Sequence, residues 1–191
     1  QVSLLNYMVT MHFLSGIVPE RVGNGHMVHV PYDAFQCSDG HIVVTIIMDE
    51  LWGRLLQVIP ADDLDTEENK YQPGRLKNKA LINRRLNEIF STNTQNHWLE
   101  TLRSARIPCA PVNDLHQALT DEQVLFRNMV VDVGHPLGGS TKIPGNPVKL
   151  SETYEDTFTP PPMLGQHNEE IFSTLGLTRE DLDALQRDGV I

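Results

Sequence analysis

Two stretches rich in proline and glycine divide this chain and leave one long block between them. The first stretch covers residues 16–31, and the second covers residues 144–162 and ends in three consecutive prolines. Proline fixes φ and lacks a backbone N–H, while glycine has no side chain to pack, so neither stretch can form a long helix or a central strand. We therefore expect two irregular connections that flank a compact, mixed block of helices and strands.

Hydrophobic periodicity predicts the elements of the central block. The β-branched run at residues 41–47 follows a turn at Asp39-Gly40 and is apolar almost throughout, which predicts a strand covered on both faces. Apolar residues at helical spacing predict three helices. They are at residues 49–59 with Asp49 as the N-cap, at a long stretch that Pro73 or Gly74 precedes and that reaches Phe90, and at residues 95–105. Their apolar faces consist of Leu51, Trp52, Leu55, Leu56, Ile59, Leu76, Ala80, Leu81, Leu86, Ile89, Phe90, Trp98, Leu99 and Leu102.

The segments outside the block carry further local signals. A helical pattern covers residues 2–14, and it starts at once without an initiator Met, so we expect the chain to be part of a longer protein. After the block, the pattern predicts a helix capped by Asn113 or Asp114 and a hairpin of strands at residues 129–133 and 141–143. Two short helices are predicted near the C-terminus, the second with a capping box from Thr178 to Asp181.

The charge balance and the cysteines bound the partners and the location. Twenty-five acidic residues against fifteen basic ones give a net charge of −10. Because nucleic-acid binding needs a basic face, we expect no nucleic-acid partner. No apolar run approaches the roughly 20 residues that span a bilayer, so we expect no membrane partner. Cys37 and Cys109 match no metal or redox spacing, and a reducing, cytoplasmic location is the expectation.

General motifs for catalysis or metal binding do not fit the sequence. Gly23 and Gly25 begin like a dinucleotide-binding fingerprint, but the third glycine is missing and no strand is predicted before them. His26 and His29 are three residues apart without a third ligand, so we predict no metal site. Taken alone, the residues predict an acidic, mixed module, and a non-catalytic interaction module is one hypothesis for it.

Local motifs, however, follow one another in the order and spacing of a known family. They are residues 1–5 (QVSLL), Gly23-Asn24 with Pro31-Tyr32 and Asp39-Gly40, and residues 107–114 (IPCAPVND), 135–139 (HPLGG), 144–151 (PGNPVKLS) and 161–167 (PPMLGQH). On these motifs the chain resembles the class III coenzyme A (CoA) transferases, the CaiB/BaiF-like family. That family includes formyl-CoA and carnitine CoA transferases as well as the α-methylacyl-CoA racemases.

The resemblance implies an α/β fold that the chain holds only in part. Family members have a large, doubly wound domain built from both ends of the chain, a small central domain, and two subunits that interlock as a homodimer. In this sequence, residues 1–30 would be a helix and linker of a truncated large domain. Residues 31–127 would be the small mixed α/β domain, and residues 128–191 the linker and the C-terminal return to the large domain.

The resemblance also implies a reaction. An aspartate of the family attacks an acyl-CoA thioester, and CoA then passes to a carboxylic acid through an aspartyl intermediate, with CoA as a substrate and no other cofactor. That aspartate would lie upstream of Gln1, so no residue of this chain is assigned a catalytic role. We expect the complete protein to be an enzyme and this chain alone to be inactive. A racemase-type proton transfer beside the thioester is the alternative within the family.

The family's glycine-rich loop suggests the substrate-binding residues of this chain. In formyl-CoA transferases a mobile loop of this kind covers the thioester, near the position of Gly23, Asn24, Gly25 and His26. This chain has only two glycines there, which departs from a formyl-CoA-specific pattern. Tyr32 is a further candidate at the rim of the pocket, with Asp33 beside it. The alternative is that the two glycines only supply left-handed turn conformations.

Overall fold

A computed structural model describes residues 2–153 and 157–191 of the chain. The chain divides into two units, Gln1–Val112 and Asn113–Ile191. Gln1, the first residue of the opening motif, lies outside the described residues. The predicted domains at residues 1–30, 31–127 and 128–191 stay a prediction, because contacts within this chain alone do not define the domains of a longer protein.

Both units mix helices with a small antiparallel sheet, which confirms the mixed α/β class. In the first unit the elements are α1 Tyr7–Ser15, β1 Tyr32–Gln36, β2 His41–Thr45, α2 Asp49–Val58, α3 Gln72–Lys77, α4 Lys79–Phe90, α5 Gln95–Ser104 and β3 Cys109–Pro111, with 3-10 turns at Val2–Leu5 and Asp62–Leu64. In the second unit they are α6 Leu115–Thr120, α7 Glu122–Phe126, β4 Val130–Gly134, β5 Ser140–Pro144, α8 Asn168–Ser173 and α9 Arg179–Arg187.

Strand β2 lies at the centre of a three-stranded antiparallel sheet in the order β1-β2-β3. The prediction that it is covered on both faces is wrong, because Ile42 and Val44 are buried whereas Val43 and Thr45 are only half-buried. An antiparallel sheet packs one face on the core and leaves the other partly open, which continuous apolar character in the sequence does not reveal. On the covered face, Ile42 pairs with the buried Phe35 of β1.

Helices α2, α4 and α5 cover that face and form the core of the first unit. Trp98 of α5 packs edge-on against Phe90 of α4, and its indole Nε1 donates to the Phe90 carbonyl at 2.7 Å. A fully buried leucine or phenylalanine contributes about 2 kcal/mol through removal of its surface from water. The core thus depends on a short set of helical side chains, namely Leu51, Trp52, Leu55, Ile59, Ile82, Leu86, Ile89, Phe90, Trp98, Leu99 and Leu102.

The start of the second predicted helix differs from the prediction. Pro73 and Gly74 lie inside α3 instead of before it. Proline is tolerated there because the first turn of a helix leaves its N–H groups unpaired. Glycine is required because a Cβ at Gly74 would lie 1.6 Å from the carbonyl oxygen of Glu68. The close approach of these two backbone segments is thus encoded by the missing side chain.

The helix is also broken in the middle, at Asn78. This residue ends α3 and begins α4, and the break changes the phase of the residues after it. Consequently Leu81, a predicted core residue after the break, is 47% exposed, and Ala80 is exposed as well. Leu76, a predicted core residue before the break, is 39% exposed. Ile82 takes the core position instead and is fully buried.

The second unit follows its local sequence signals. Asp114 caps α6 with a capping box, because its carboxylate accepts from the Gln117 N–H and the Gln117 side chain accepts from the Asp114 N–H. The same reciprocal pattern joins Thr178 and Asp181 at the start of α9. Strands β4 and β5 form the predicted hairpin. The caps and the hairpin are therefore confirmed.

A buried arginine joins the separate parts of the first unit. The side chain of Arg75 is fully buried, and its guanidinium carbon lies 5.4 Å from the ring centre of Trp52. Its five N–H groups meet five oxygen acceptors, which are Val30 O (2.8 Å), Asn69 O (3.0 Å), Lys70 O (3.0 Å), Asp49 Oδ1 (2.7 Å) and Gln72 Oε1 (2.8 Å). All the donors of the buried charge are satisfied, so the charge is tolerated in the interior.

The prediction that Asp49 is the N-cap of α2 is wrong, and the contacts of Arg75 explain why. Met48 occupies the N-cap position, and the Asp49 carboxylate is the first helical side chain. Its Oδ1 accepts from the Arg75 guanidinium and from the Gln72 N–H at 3.0 Å. A carboxylate in the first turn still interacts favourably with the positive end of the helix dipole.

Substitution of Arg75 by lysine tests the buried arrangement. Lysine keeps the charge but has three donors, so at least two of the five acceptors lose their partner. We expect Arg75→Lys to lower the free energy of unfolding by about 2–4 kcal/mol, measured by urea unfolding. Arg84→Lys is the control, because Arg84 is exposed on α4. Equal losses in the two variants would contradict a special role of Arg75.

Candidate functional site

The candidate loop at residues 23–26 begins with a tight turn. The Gly25 N–H donates to the Val22 carbonyl at 3.1 Å, so Gly23 and Asn24 are the two central residues of the turn. Gly23 has φ +63°, a left-handed conformation that favours glycine, whereas Asn24 has no positive φ. Both residues are exposed, and a Cβ on Gly23 would meet no atom within 4 Å. The tip of the loop is therefore open to solvent in this chain.

Gly25 differs from Gly23, because the space around it is tight. Its φ is not positive, but a Cβ there would lie 3.1 Å from Asp33 Oδ2 and 3.1 Å from Lys79 Nζ, and 3.2 Å from the Val22 carbonyl oxygen. These distances are shorter than ordinary van der Waals contacts. The idea that both glycines only supply left-handed turns is thus wrong for Gly25.

His26 is held by hydrogen bonds on both of its ring nitrogens. Nδ1 accepts from the backbone N–H of Val28 at 3.0 Å and from that of His29 at 3.1 Å. The ring proton therefore sits on Nε2, which lies 2.9 Å from the hydroxyl oxygen of Tyr7 and donates to it. Burial lowers the pKa of His26, and the nearby His29 and Lys79 lower this pKa further. His26 is thus a neutral, fixed ring rather than a free base.

Tyr32 lies against the same histidine. The two ring centres are 5.0 Å apart, and the backbone N–H of His26 donates to the Tyr32 carbonyl at 3.2 Å. The structure therefore brings Gly25, His26 and Tyr32 together, while Gly23 and Asn24 form the exposed tip beside them. Asp33 borders Gly25 as well, and its Oδ2 accepts from Asn83 Nδ2 of α4 at 3.0 Å.

Sequence reasoning missed three residues of this cluster. Lys79 Nζ donates to the His26 carbonyl at 3.1 Å, and Tyr7 and Asn83 make the contacts described above. Tyr7 lies on α1, and the other two lie on α4, more than 45 positions beyond the loop. The only available signal is a row of polar residues three or four positions apart along α3 and α4, which by itself is typical of any exposed helix face.

Other parts of the described chain offer less for a site. A pocket of ≈ 380 Å³ lies between α8 and α9, but its one arginine, Arg179, is paired with Glu169 at 2.8 Å. Within residues 2–153 and 157–191, no group of three or more His, Cys, Asp and Glu side chains could hold a metal ion. No helix in these ranges is both long enough and apolar enough to cross a bilayer.

The lowered pKa of His26 predicts an acid-dependent loss of stability. As the pH falls below about 6.5, the ordinary histidine pKa, the unfolded chain takes up a proton that folded His26 does not. The free energy of unfolding should therefore decrease with falling pH until the lowered pKa is passed. Urea unfolding between about pH 8 and pH 5 measures this dependence.

The variant His26→Gln isolates the contribution of His26. We expect the stability of this variant to depend less steeply on pH than that of the unaltered protein in this range. His116→Gln is the control, because His116 is an exposed residue of α6. If both variants kept the original pH dependence, proton uptake by His26 would not be its cause.

The motifs and the fold match known proteins over most of the chain. A family model described as "CoA-transferase family III" matches residues 1–168. A human succinyl-CoA:glutarate CoA-transferase is 28% identical over 173 residues, which cover 90% of this chain and 39% of that protein. A formyl-CoA:oxalate CoA-transferase of Streptomyces coelicolor is 32% identical over 176 residues, which cover 90% of this chain and 43% of that protein.

A solved structure supports the same fold. The chain superimposes on a CAIB/BAIF family protein from Brucella suis with a TM-score of 0.74 and 24% sequence identity. The superposition covers 91% of this chain and 45% of that one. The chain thus spans less than half the length of the relatives that it matches.

Proposed function

The chain belongs to CoA-transferase family III, and from this membership we propose that the complete protein transfers CoA between an acyl-CoA thioester and a carboxylic acid. The observation that carries the proposal is the match of one family model over residues 1–168. Relatives with names such as succinyl-CoA:glutarate and formyl-CoA:oxalate CoA-transferase support small dicarboxylic acids as the acceptor class. CoA enters as a substrate and is not a resident cofactor.

The reaction that we propose is a double displacement on an aspartate. The aspartate carboxylate attacks the acyl-CoA carbonyl and expels CoA thiolate, which leaves a mixed anhydride. The thiolate then attacks the aspartyl carbonyl, releases the donor acid and leaves an aspartyl-CoA thioester. The acceptor carboxylate repeats the two steps in reverse order and leaves as the new acyl-CoA. The aspartate would lie upstream of Gln1, so this chain alone would be inactive.

Within this chain, the proposed contribution is a wall of the substrate pocket. Gly23 and Asn24 form an exposed tip, and their backbone N–H groups donate to no acceptor among the described residues. Such groups can bind a thioester or carboxylate oxygen without a competing partner. Behind the tip, the fixed rings of His26 and Tyr32 give the loop a firm base.

The neutral state of His26 bears on the racemase alternative. A racemase needs groups that remove and return a proton beside the thioester. Both ring nitrogens of His26 are already used, and its pKa is lowered, so the ring does not act in this way in the described structure. Transfer remains the proposal, and the experiment below separates the two activities.

The proposal also includes a partner and a location. Exposed apolar side chains on α1 and after it support a covered position in the doubly wound large domain of an interlocked homodimer. Phe13 is 80% exposed, Leu14 is 84% exposed and Val18 is 74% exposed. Cys37 and Cys109 are free thiols, which fits the reducing cytoplasm.

The activity is tested with the complete protein in D₂O, with acyl-CoA donors offered together with dicarboxylic acids. We expect a new acyl-CoA that forms only when an acceptor acid is present, detected by mass spectrometry. Hydroxylamine added during turnover should trap the aspartyl intermediate as a hydroxamate and stop the reaction. Deuterium uptake beside the thioester without an acceptor would favour racemization instead. No new acyl-CoA with any pair would refute the transferase proposal.

Gly23→Asn tests whether the tip of the loop touches the substrate. Asparagine tolerates the left-handed conformation, and the space around Gly23 is open, so the loop should stay folded. If the tip lines the pocket, we expect KM for acyl-CoA to rise about tenfold at unchanged thermal stability. Gly176→Asn is the control, because Gly176 has φ +82° and equally open space. Unchanged KM in the Gly23 variant would refute the pocket role of the tip.

A further inference from the structure

Five polar side chains on one side of α3 and α4 hold the segment that carries the candidate loop. They are spaced three or four residues apart and form what we call the polar seam, which consists of Gln72, Arg75, Lys79, Asn83 and Asn87. Each of them makes a hydrogen bond to the stretch of chain at residues 26–36. A row of this kind can hold the backbone of the segment in one position.

Two seam residues hold the irregular part of the segment. Gln72 donates through Nε2 to the Val28 carbonyl, and Arg75 donates through Nε to the Val30 carbonyl at 2.8 Å. Irregular backbone leaves its carbonyl groups without partners in a sheet or helix, so side-chain donors must satisfy them where they are buried. These two contacts fix the chain just after the loop.

Two further seam residues hold strand β1. Asn83 donates to the Asp33 carboxylate at 3.0 Å, and Asn87 accepts through Oδ1 from the Gln36 N–H at 3.0 Å. Among the described residues, strand β1 pairs only with β2, so its outer backbone groups need partners from outside the sheet. The strand is therefore attached to α4 along its length.

Lys79 is the seam residue that reaches the loop itself. Its ammonium donates to the His26 carbonyl and lies beside Gly25, close to where a Cβ would stand. The positive charge of Lys79 also contributes to the lowered pKa of His26. In the part of the chain that the structure describes, Lys79 forms no ion pair, so its main contact is the loop.

We propose that Lys79 is a positioning residue for CoA transfer, which holds the His26 carbonyl and thereby presents the tip of the loop to the bound thioester. This proposal rests on the proposed function. Without the ammonium, the loop keeps the Tyr7–His26 contact and the backbone bond from His26 to Tyr32, but it loses its direct hydrogen bond to α4. A loop that samples several positions loses the alignment on which transfer depends.

The kinetic test uses Lys79→Met, Lys79→Arg and Lys77→Met in the complete protein. Methionine keeps the length of the side chain but removes the donor, so kcat/KM for transfer should fall by about tenfold or more. Arginine keeps a charged donor and should restore most of the rate. Lys77→Met removes the same charge from an exposed lysine of α3, whose nearest carboxylate oxygen, on Glu68, is 4.0 Å away, and should leave kcat/KM unchanged. An equal loss in both methionine variants, or no rescue by arginine, would overturn the proposal.

Hydrogen exchange provides a second readout that needs no turnover. The amides of residues 25–29 should exchange faster in Lys79→Met than in Lys77→Met, while amides of α5 should exchange alike in both. Unchanged exchange in the loop would overturn the proposal for Lys79, whether or not the protein turns over any pair of acyl-CoA and acid. A lack of turnover with every pair would separately refute the proposed function. Faster exchange with an unchanged kcat/KM would also overturn it, because Lys79 would then have only a structural role.

Discussion

The buried guanidinium of Arg75 is the constraint on which the first unit depends. Burial of a charge costs several kcal/mol, and only a complete set of hydrogen bonds offsets that cost. Its partners belong to α2, to the connection before α3, to α3 itself and to Val30 of the leading segment. None of them can move alone without leaving a buried donor unpaired. The position of Val30 is thereby fixed, and β1, which begins two residues later, starts from a defined point that also sets Tyr32 against His26.

Much of the fold could be predicted from the sequence wherever a signal is local. The apolar periodicity of α2 and α5, the cap at Asp114 and the capping box at Thr178 all depend on residues within one helical turn of each other. The break at Asn78 has no proline or glycine at that position to signal it, and the burial of Arg75 depends in part on acceptors at Val30 and Asp49 that are distant in the chain. An arginine on a predicted helix is ordinarily exposed, and its five acceptors form no sequence pattern.

The candidate site shows the same division. The family motif pointed to the loop, and the structure brings Gly25, His26 and Tyr32 together. The different reasons for the two glycines could not be read from the sequence, since the reason for Gly25 is the approach of Asp33 and Lys79. Lys79 was missed because its bond to the His26 carbonyl spans 53 positions of the chain. Motif reasoning finds the segment, whereas the groups that hold it become visible only when the helices are packed.

The contact between Asn87 and the Gln36 N–H has a consequence for self-association. A sheet edge with free backbone groups is a template for strands of other molecules, and such pairing leads to aggregates. On the β1 edge, the side-chain oxygen of Asn87 accepts from the Gln36 N–H, a donor that an incoming strand would need. The opposite edge is β3, which has only three residues and ends at Pro111, a residue without an N–H. Both edges of this small sheet are thus poor templates, and the helix that positions the loop also protects one edge of the sheet from strand-mediated aggregation.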